Sequence, residues 1–181
     1  MSRHVPSTGS QTGFAVAQTL IVSAIAAIVV AIAVPVYAAR AKETVLRQNA
    51  TTLELEVKSY LAAGLDATDD KRSASEVIAQ ALGGHGGGIS TYYVNPLCGS
   101  HAVVCQTAPP SAAGGTPPAV WITDDQHYTH AAFSPSATTR SQLAGTLLVV
   151  FTTTGGRTSA IDIYYVDAAG LRSAAVATLG V

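Results

Sequence analysis

Charged side chains are scarce in this chain of 181 residues, and their scarcity narrows the classes of partner it can have. Asp, Glu, Lys and Arg make up 12% of the sequence, about half the share of an ordinary domain. The formal net charge is only −1. Composition therefore indicates neither nucleic acid nor an anionic membrane surface as an electrostatic partner.

Sequence motifs that carry catalytic chemistry are missing as well. There are no Walker glycines, no dinucleotide-binding fingerprint and no paired CxxC zinc motif. Residues 85–88, HGGG, are similar to an esterase oxyanion loop, but no G-x-S-x-G nucleophile accompanies them, so we interpret them as a glycine linker. A second polar group comprises Asp124, Asp125, His127 and His130. Side chains on one strand or turn rarely converge on an ion, so we expect no catalytic residue, metal or cofactor.

What the chain does have is one long apolar run. Residues 14–39 are 26 positions without a formal charge, and residues 14–36 supply 23 that are mostly apolar. About 20 such residues suffice to cross a bilayer as a helix. Small residues recur every fourth position at Ser23, Ala27 and Ala31, a spacing that lets another helix approach closely. We expect a membrane-spanning helix that can also pack against other helices.

Helical periodicity continues beyond the apolar run. Apolar residues at steps of four, three, four and four are Leu46, Ala50, Leu53, Val57 and Leu61. This spacing keeps them on one face of a helix, so residues 40–62 are predicted to form an amphipathic second half that covers a small domain. Gly64 is expected to end this helix.

A secretory signal peptide is an alternative interpretation of the same segment. Val36, Tyr37 and Ala38 could form a small-residue cleavage site. The apolar stretch is longer than the usual ~7–15 residues of such signals. Helical phase also continues past the supposed cut, which favours two halves that stay together.

Gly13 stands directly before Phe14 and the uncharged run, and Pro35 and Tyr37 lie further along. With these features the chain resembles the type IV pilins and the pseudopilins of secretion systems. The resemblance implies that residues 1–13 are a leader, that a prepilin peptidase cuts after Gly13, and that Phe14 becomes N-methylated. Pro35 and Tyr37 would then be the twenty-second and twenty-fourth mature residues, where pilins commonly carry Pro and Tyr. The resemblance covers about residues 1–62.

Two residues of this segment have their own consequences for assembly. Pilins usually carry Glu fifth after the cut, whereas this chain has Gln18, whose amide accepts a hydrogen bond but cannot cancel a neighbour's N-terminal charge. The subunit is therefore expected either to assemble without that ion pair or to occupy a filament tip, unless Gln18 merely lies at the membrane boundary. Pro35 cannot donate to the Ala31 carbonyl, which predicts a kink or local melting there.

The remaining residues, 63–181, are predicted to form a β-rich head. Residues 73–76, SASE, are a capping box that opens a short helix. Turns are expected at Gly155-Gly156 and at residues 167–170. Strand-like runs are residues 89–94, 102–106, 119–123, 145–153, 159–166 and 171–179. They favour an antiparallel sheet on the apolar face of the long helix.

The only two cysteines, Cys98 and Cys105, both fall in this head. In an oxidising compartment they could form a disulfide that closes one short loop, and we predict this pairing for an exported head. Their spacing does not decide between a disulfide and two free thiols.

These observations predict an α+β, pilin-like protein in which a long N-terminal helix packs on a small antiparallel sheet. The expected function is that of a structural filament subunit, not an enzyme, with a role in adhesion, motility or uptake. The resemblance implies a homo-oligomeric filament or related pilins as partners, together with the prepilin peptidase, an assembly ATPase and an inner-membrane platform. The chain would cross the cell membrane once, with its head extracytoplasmic, before joining an extracellular filament. Alternatives are a minor pilin or secretion pseudopilin at a tip, and a membrane-anchored or secreted binding domain that does not polymerise.

Overall fold

The computed structural model describes residues 9–63, 73–83, 92–106, 116–124, 137–154 and 157–180. The chain divides into two units, Met1–Ala41 and Lys42–Val181. Within the described residues the elements are α1 (Gly9–Ala62), α2 (Ala74–Gly83), β1 (Val103–Cys105), β2 (Val120–Thr123), α3 (Ala137–Leu143), β3 (Leu147–Thr154), β4 (Arg157–Tyr165) and β5 (Ala177–Gly180). This confirms the α+β class.

The described part of the first unit is the N-terminal part of α1. The helix begins at Gly9, ahead of the predicted start at Phe14, and its helical backbone continues through Pro35 without a break. Pro35 therefore does not melt the helix in this structure. By length and composition, α1 could cross a membrane.

In the second unit, α1 supplies the apolar face that its sequence spacing predicts. Leu46, Ala50, Leu53 and Val57 are all buried, and Leu61 packs against the same core at partial burial. This face shares one hydrophobic cluster with side chains from all five strands. The predicted packing of the helix on the sheet is confirmed.

The sheet is mixed, with the strand order β1-β2-β3-β4-β5. The last three strands form the expected antiparallel meander, but β1, β2 and β3 run parallel to one another. The prediction of an antiparallel sheet is wrong for these three strands. Parallel neighbours need a crossover connection, and α3 lies between β2 and β3 in the chain.

Successive side chains along the central strands point to opposite faces of the sheet, and both faces are apolar. One face packs into the core that includes α1, and the opposite face forms a second cluster that includes Leu143 of α3. In β2, Val120 and Ile122 point to the first core and Trp121 to the second. Trp121 is completely buried, and its indole N–H donates to the Gln106 carbonyl at 2.9 Å. A sheet buried on both faces explains why its central strands carry nearly continuous apolar runs.

Some of the caps, turns and strands predicted for the head are confirmed and others are not. The capping box is confirmed, because Ser73 Oγ accepts from the Glu76 amide at 3.3 Å and Glu76 Oε2 accepts from the Ser73 amide at 3.1 Å. The turn at residues 167–170 is also confirmed, with the Gly170 amide donating to the Asp167 carbonyl at 3.0 Å. The described part of run 89–94 is not a strand, and β5 covers only the end of run 171–179. Gly64 and Gly155-Gly156 lie outside the described residues.

A buried amide joins three loops at one end of the sheet. Asn95 has no solvent exposure, and its Nδ2 donates to the carbonyls of Pro118 (3.1 Å) and Ala144 (2.9 Å). Its Oδ1 accepts from the Leu97 amide at 2.9 Å. Gly145 lies against this side chain with a φ of +78°, and a Cβ there would come within 2.2 Å of Asn95 Oδ1. Only glycine fits both the backbone conformation and the space.

Candidate functional site

The candidate site in the first unit is the exposed apolar surface of α1 from Phe14 to Tyr37. Its large apolar side chains are each between 48% and 72% exposed. Soluble monomers rarely expose so long a contiguous apolar patch, which instead marks an interface with membrane or protein. In water this surface needs a cover, and lipid tails or other apolar helices can supply one.

Polar side chains inside this apolar surface are satisfied by the helix itself. Thr19 Oγ1 donates to the Ala15 carbonyl at 2.9 Å, and Ser23 Oγ donates to the Thr19 carbonyl at 2.7 Å. Both hydroxyls therefore avoid the cost of an unpaired polar group in an apolar environment. The segment can lie in lipid without losing these hydrogen bonds.

The residues predicted for processing and assembly lie along this helix. The Gly13–Phe14 peptide bond is inside α1, and Gln18 is one turn beyond Phe14 on the same side. Ser23, Ala27 and Ala31 are exposed and share one face, so the small-residue stripe is available for a close helix contact.

Pro35 and Tyr37 differ in their surroundings. Pro35 lies inside α1 and is not among the residues that line an apolar groove of about 370 Å³ on one helix face. Tyr37 is 72% exposed and lines this groove. The other residues lining it are Val29, Ile32, Ala33, Val36 and Arg40.

In the second unit, charged and phenolic groups tie α1 to strand β4. Glu43 and Arg47 form an ion pair at 2.7 Å, the Tyr165 hydroxyl donates to Glu43 Oε1 at 3.4 Å, and the Arg47 guanidinium lies 5.9 Å from the centre of the Tyr165 ring. The hydrogen bond from Arg47 lowers the pKa of Glu43. The spacing of Glu43 and Arg47 at i and i+4 is a sequence signal for this pair, but nothing local indicates that Tyr165 joins them.

A second contact of this kind holds the segment before β1 against α1. The Glu56 carboxylate accepts from the Tyr60 hydroxyl at 2.8 Å and from the Tyr93 hydroxyl at 2.5 Å. Burial first, and then the bond to Glu56, raises the pKa of Tyr60 to about 12 and raises that of Tyr93 further. Both phenols are therefore neutral donors at physiological pH. No sequence signal reveals the Glu56–Tyr93 contact, because its partners are 37 residues apart.

No disulfide joins Cys98 and Cys105 in this structure, and their pairing in an oxidising compartment stays a prediction. Both thiols are free and exposed, and Cys98 Sγ donates to the Pro117 carbonyl at 3.4 Å, whereas Cys105 pairs with Ile122 in the parallel ladder. Cys98 lies in the turn before β1 and Cys105 ends that strand, so the two thiols have different neighbours in this structure.

The candidate catalytic and metal groups gain no support from the geometry. Among the described residues, no group of three or more His, Cys, Asp or Glu side chains could hold a metal ion. Of the polar cluster only Asp124 is described, while Asp125, His127 and His130 lie outside the described residues, as does the HGGG segment.

Comparisons with protein-family models, with curated proteins and with solved structures find no match to this chain.

Proposed function

We propose that this protein is a structural subunit of a type IV pilus-like filament, stored in the membrane and assembled by helix packing. One observation carries the proposal. A single continuous helix has an apolar half whose side chains are exposed and an amphipathic half whose apolar face is buried in the head. The apolar side chains of the first half are exposed, and we infer that lipid or other apolar helices cover them.

The small-residue stripe favours protein over lipid as the final cover of that half. Lipid tails are as apolar as aliphatic side chains, so helix association in an apolar medium depends on close packing. Ser23, Ala27 and Ala31 leave room for it, and the Ser23 hydroxyl is already satisfied within α1. Copies of this chain or related pilins are the proposed partners, with a prepilin peptidase, an assembly ATPase and a membrane platform acting before and during assembly.

The mature N-terminus tests the proposal most directly. Expressed in a host that has a prepilin peptidase, the chain should begin at N-methylated Phe14, as measured by intact mass and N-terminal sequencing. Gly13→Leu should leave the leader attached, and Gly9→Ala, in the same segment, is the matched control that should still be cut. A product beginning at Ala39 or Arg40 would show ordinary secretion, and an uncut chain would show a plain membrane anchor that does not polymerise.

A minor or tip subunit is a second candidate, and Gln18 is the observation that favours it. Gln18 is exposed one turn from Phe14, and its amide cannot neutralise the amine of a subunit ahead of it. A subunit at the tip has no such neighbour. Gln18→Glu should then change the amount incorporated into filaments, measured by quantitative immunoblotting of sheared filaments, and the conservative Gln18→Asn should not. Equal incorporation of all three chains would mean that Gln18 only marks the membrane boundary.

A further inference from the structure

The groove between Val29 and Arg40 lies on one face of α1, with apolar side chains at its N-terminal end and polar ones at its C-terminal end. Its lining residues follow the spacing i, i+3, i+4, i+7, i+8 and i+11, which places them on one side of a helix. They are Val29, Ile32, Ala33, Val36, Tyr37 and Arg40. The first four are aliphatic, and the last two bring a phenol and a guanidinium to one end. Ala33, the smallest of the six, leaves the depression between its larger neighbours.

We propose that this groove binds one anionic phospholipid, with an acyl chain along Ala33 and the phosphate at Tyr37 and Arg40. The open groove has a volume of about 370 Å³. From Val29 to Arg40 the helix rises about 16 Å at 1.5 Å per residue. Half of a ~30 Å hydrocarbon core has about this depth, so the groove matches one leaflet.

Charge decides between a lipid and a second copy of the chain as occupant. Residues 1–42 contain no Asp or Glu, so the same segment of another copy brings no carboxylate to Arg40. A guanidinium has five N–H donors and binds phosphate with two of them at once, so other contacts of Arg40 are compatible with a phosphate.

The position of Tyr37 also indicates that the C-terminal end of the groove lies at the membrane surface. Tyr and Trp concentrate where a membrane meets water, because their rings are apolar and their polar tips need hydrogen bonds. Tyr37 is 72% exposed, one residue beyond the end of the uncharged aliphatic lining. Its hydroxyl and the Arg40 guanidinium can therefore meet the same headgroup while both side chains extend toward water. This inference depends on the helix crossing a membrane and not on filament assembly.

The test uses the full chain reconstituted in nanodiscs of equal parts phosphatidylglycerol and phosphatidylcholine. Native mass spectrometry then counts the lipids of each kind that remain bound. We expect one retained phosphatidylglycerol and about tenfold weaker retention in Arg40→Gln, since a hydrogen bond to a charged group is worth about a factor of ten or more. Lys42→Gln removes the same charge outside the groove lining and should retain the lipid within about twofold.

A second pair of variants tests the acyl-chain part of the groove without changing charge. Ala33→Leu fills the depression and should reduce retention severalfold, whereas Ala24→Leu, outside the groove, should not. Phosphatidylglycerol with a diazirine on its acyl chain should label residues 29–36 after irradiation, as mapped by peptide mass spectrometry. Equal losses in Arg40→Gln and Lys42→Gln, or labelling spread evenly around the helix, would overturn the proposal. The proposal would also be overturned if two copies of the chain cross-link through the groove residues and no lipid is found there. None of these readouts depends on the mature N-terminus, so this site and the filament can fail separately.

Discussion

Adding one methyl group at Gly145 should strongly lower the stability of the head. Its φ of +78° is strained for any residue with a Cβ, and an added Cβ would lie 2.2 Å from Asn95 Oδ1. Asn95 is fully buried and joins three loops through hydrogen bonds to Pro118, Ala144 and Leu97. Gly145→Ala should therefore strain the backbone and also displace this side chain.

Gly99 provides the control that separates these two effects. It has a φ of +74°, but a Cβ there would meet no atom within 4 Å. Gly99→Ala should cost only the left-handed strain of about 1–2 kcal/mol. Gly145→Ala should cost about 4 kcal/mol, because displacing Asn95 leaves buried polar groups unpaired at about 1–3 kcal/mol each. The change in unfolded-chain entropy is common to both variants and cancels in the comparison.

Trp121 makes the measurement specific to the head. It is the only tryptophan of the chain, and it is buried on the second face of the sheet. Its emission during urea titration of the full chain in detergent micelles should follow head unfolding, with little influence from the apolar half of α1. If the two glycine variants differ by less than about 1 kcal/mol, the proposed role of Asn95 is wrong.

Three further predictions use the same fluorescence assay. Ser73→Ala should destabilise the head by about 1 kcal/mol through loss of the helix cap. Leu53→Ala should lower the free energy of unfolding by about 2–5 kcal/mol because that side chain is fully buried. Leu55→Ala on the same helix should change it by no more than about 0.5 kcal/mol because Leu55 is 63% exposed. Equal effects of the two substitutions would contradict the packing described. Burial and the bond to Glu56 raise the pKa of Tyr60 from 10.0 to about 12, so its contribution is complete below pH 10 and is lost as the pH rises to 12. Tyr60→Phe should therefore lower stability at neutral pH but flatten its decline between pH 10 and 12, and an unchanged slope would contradict this assignment.

Sequence reasoning succeeded where a local pattern fixes the structure. The apolar steps from Leu46 to Val57 require one helical face, and the capping box at Ser73 satisfies its own backbone. The long β-rich runs of β3 and β4 pair as neighbours in the sequence, so their antiparallel arrangement also follows.

Features that depend on distant partners were missed. β1 has three residues and β2 has four, too few to carry a signal for strand direction, so their parallel pairing was not foreseen. α3 is short and rich in Thr and Ser, and among its described side chains Leu143 anchors it in the second core. In the candidate site, the exposed apolar helix was predicted, but the direction of the groove toward Arg40 was not.

The helical backbone around Gly13 has a kinetic consequence for the proposed processing. Proteases bind their substrates as extended strands, yet the bond between Gly13 and Phe14 belongs to α1, which begins at Gly9. If the chain is cut there, the helix would have to fray past its first turn, and glycine lowers the cost of fraying because its helix propensity is low. The leader would thus act as a timing element, whose removal is paced by how often the end of the helix opens.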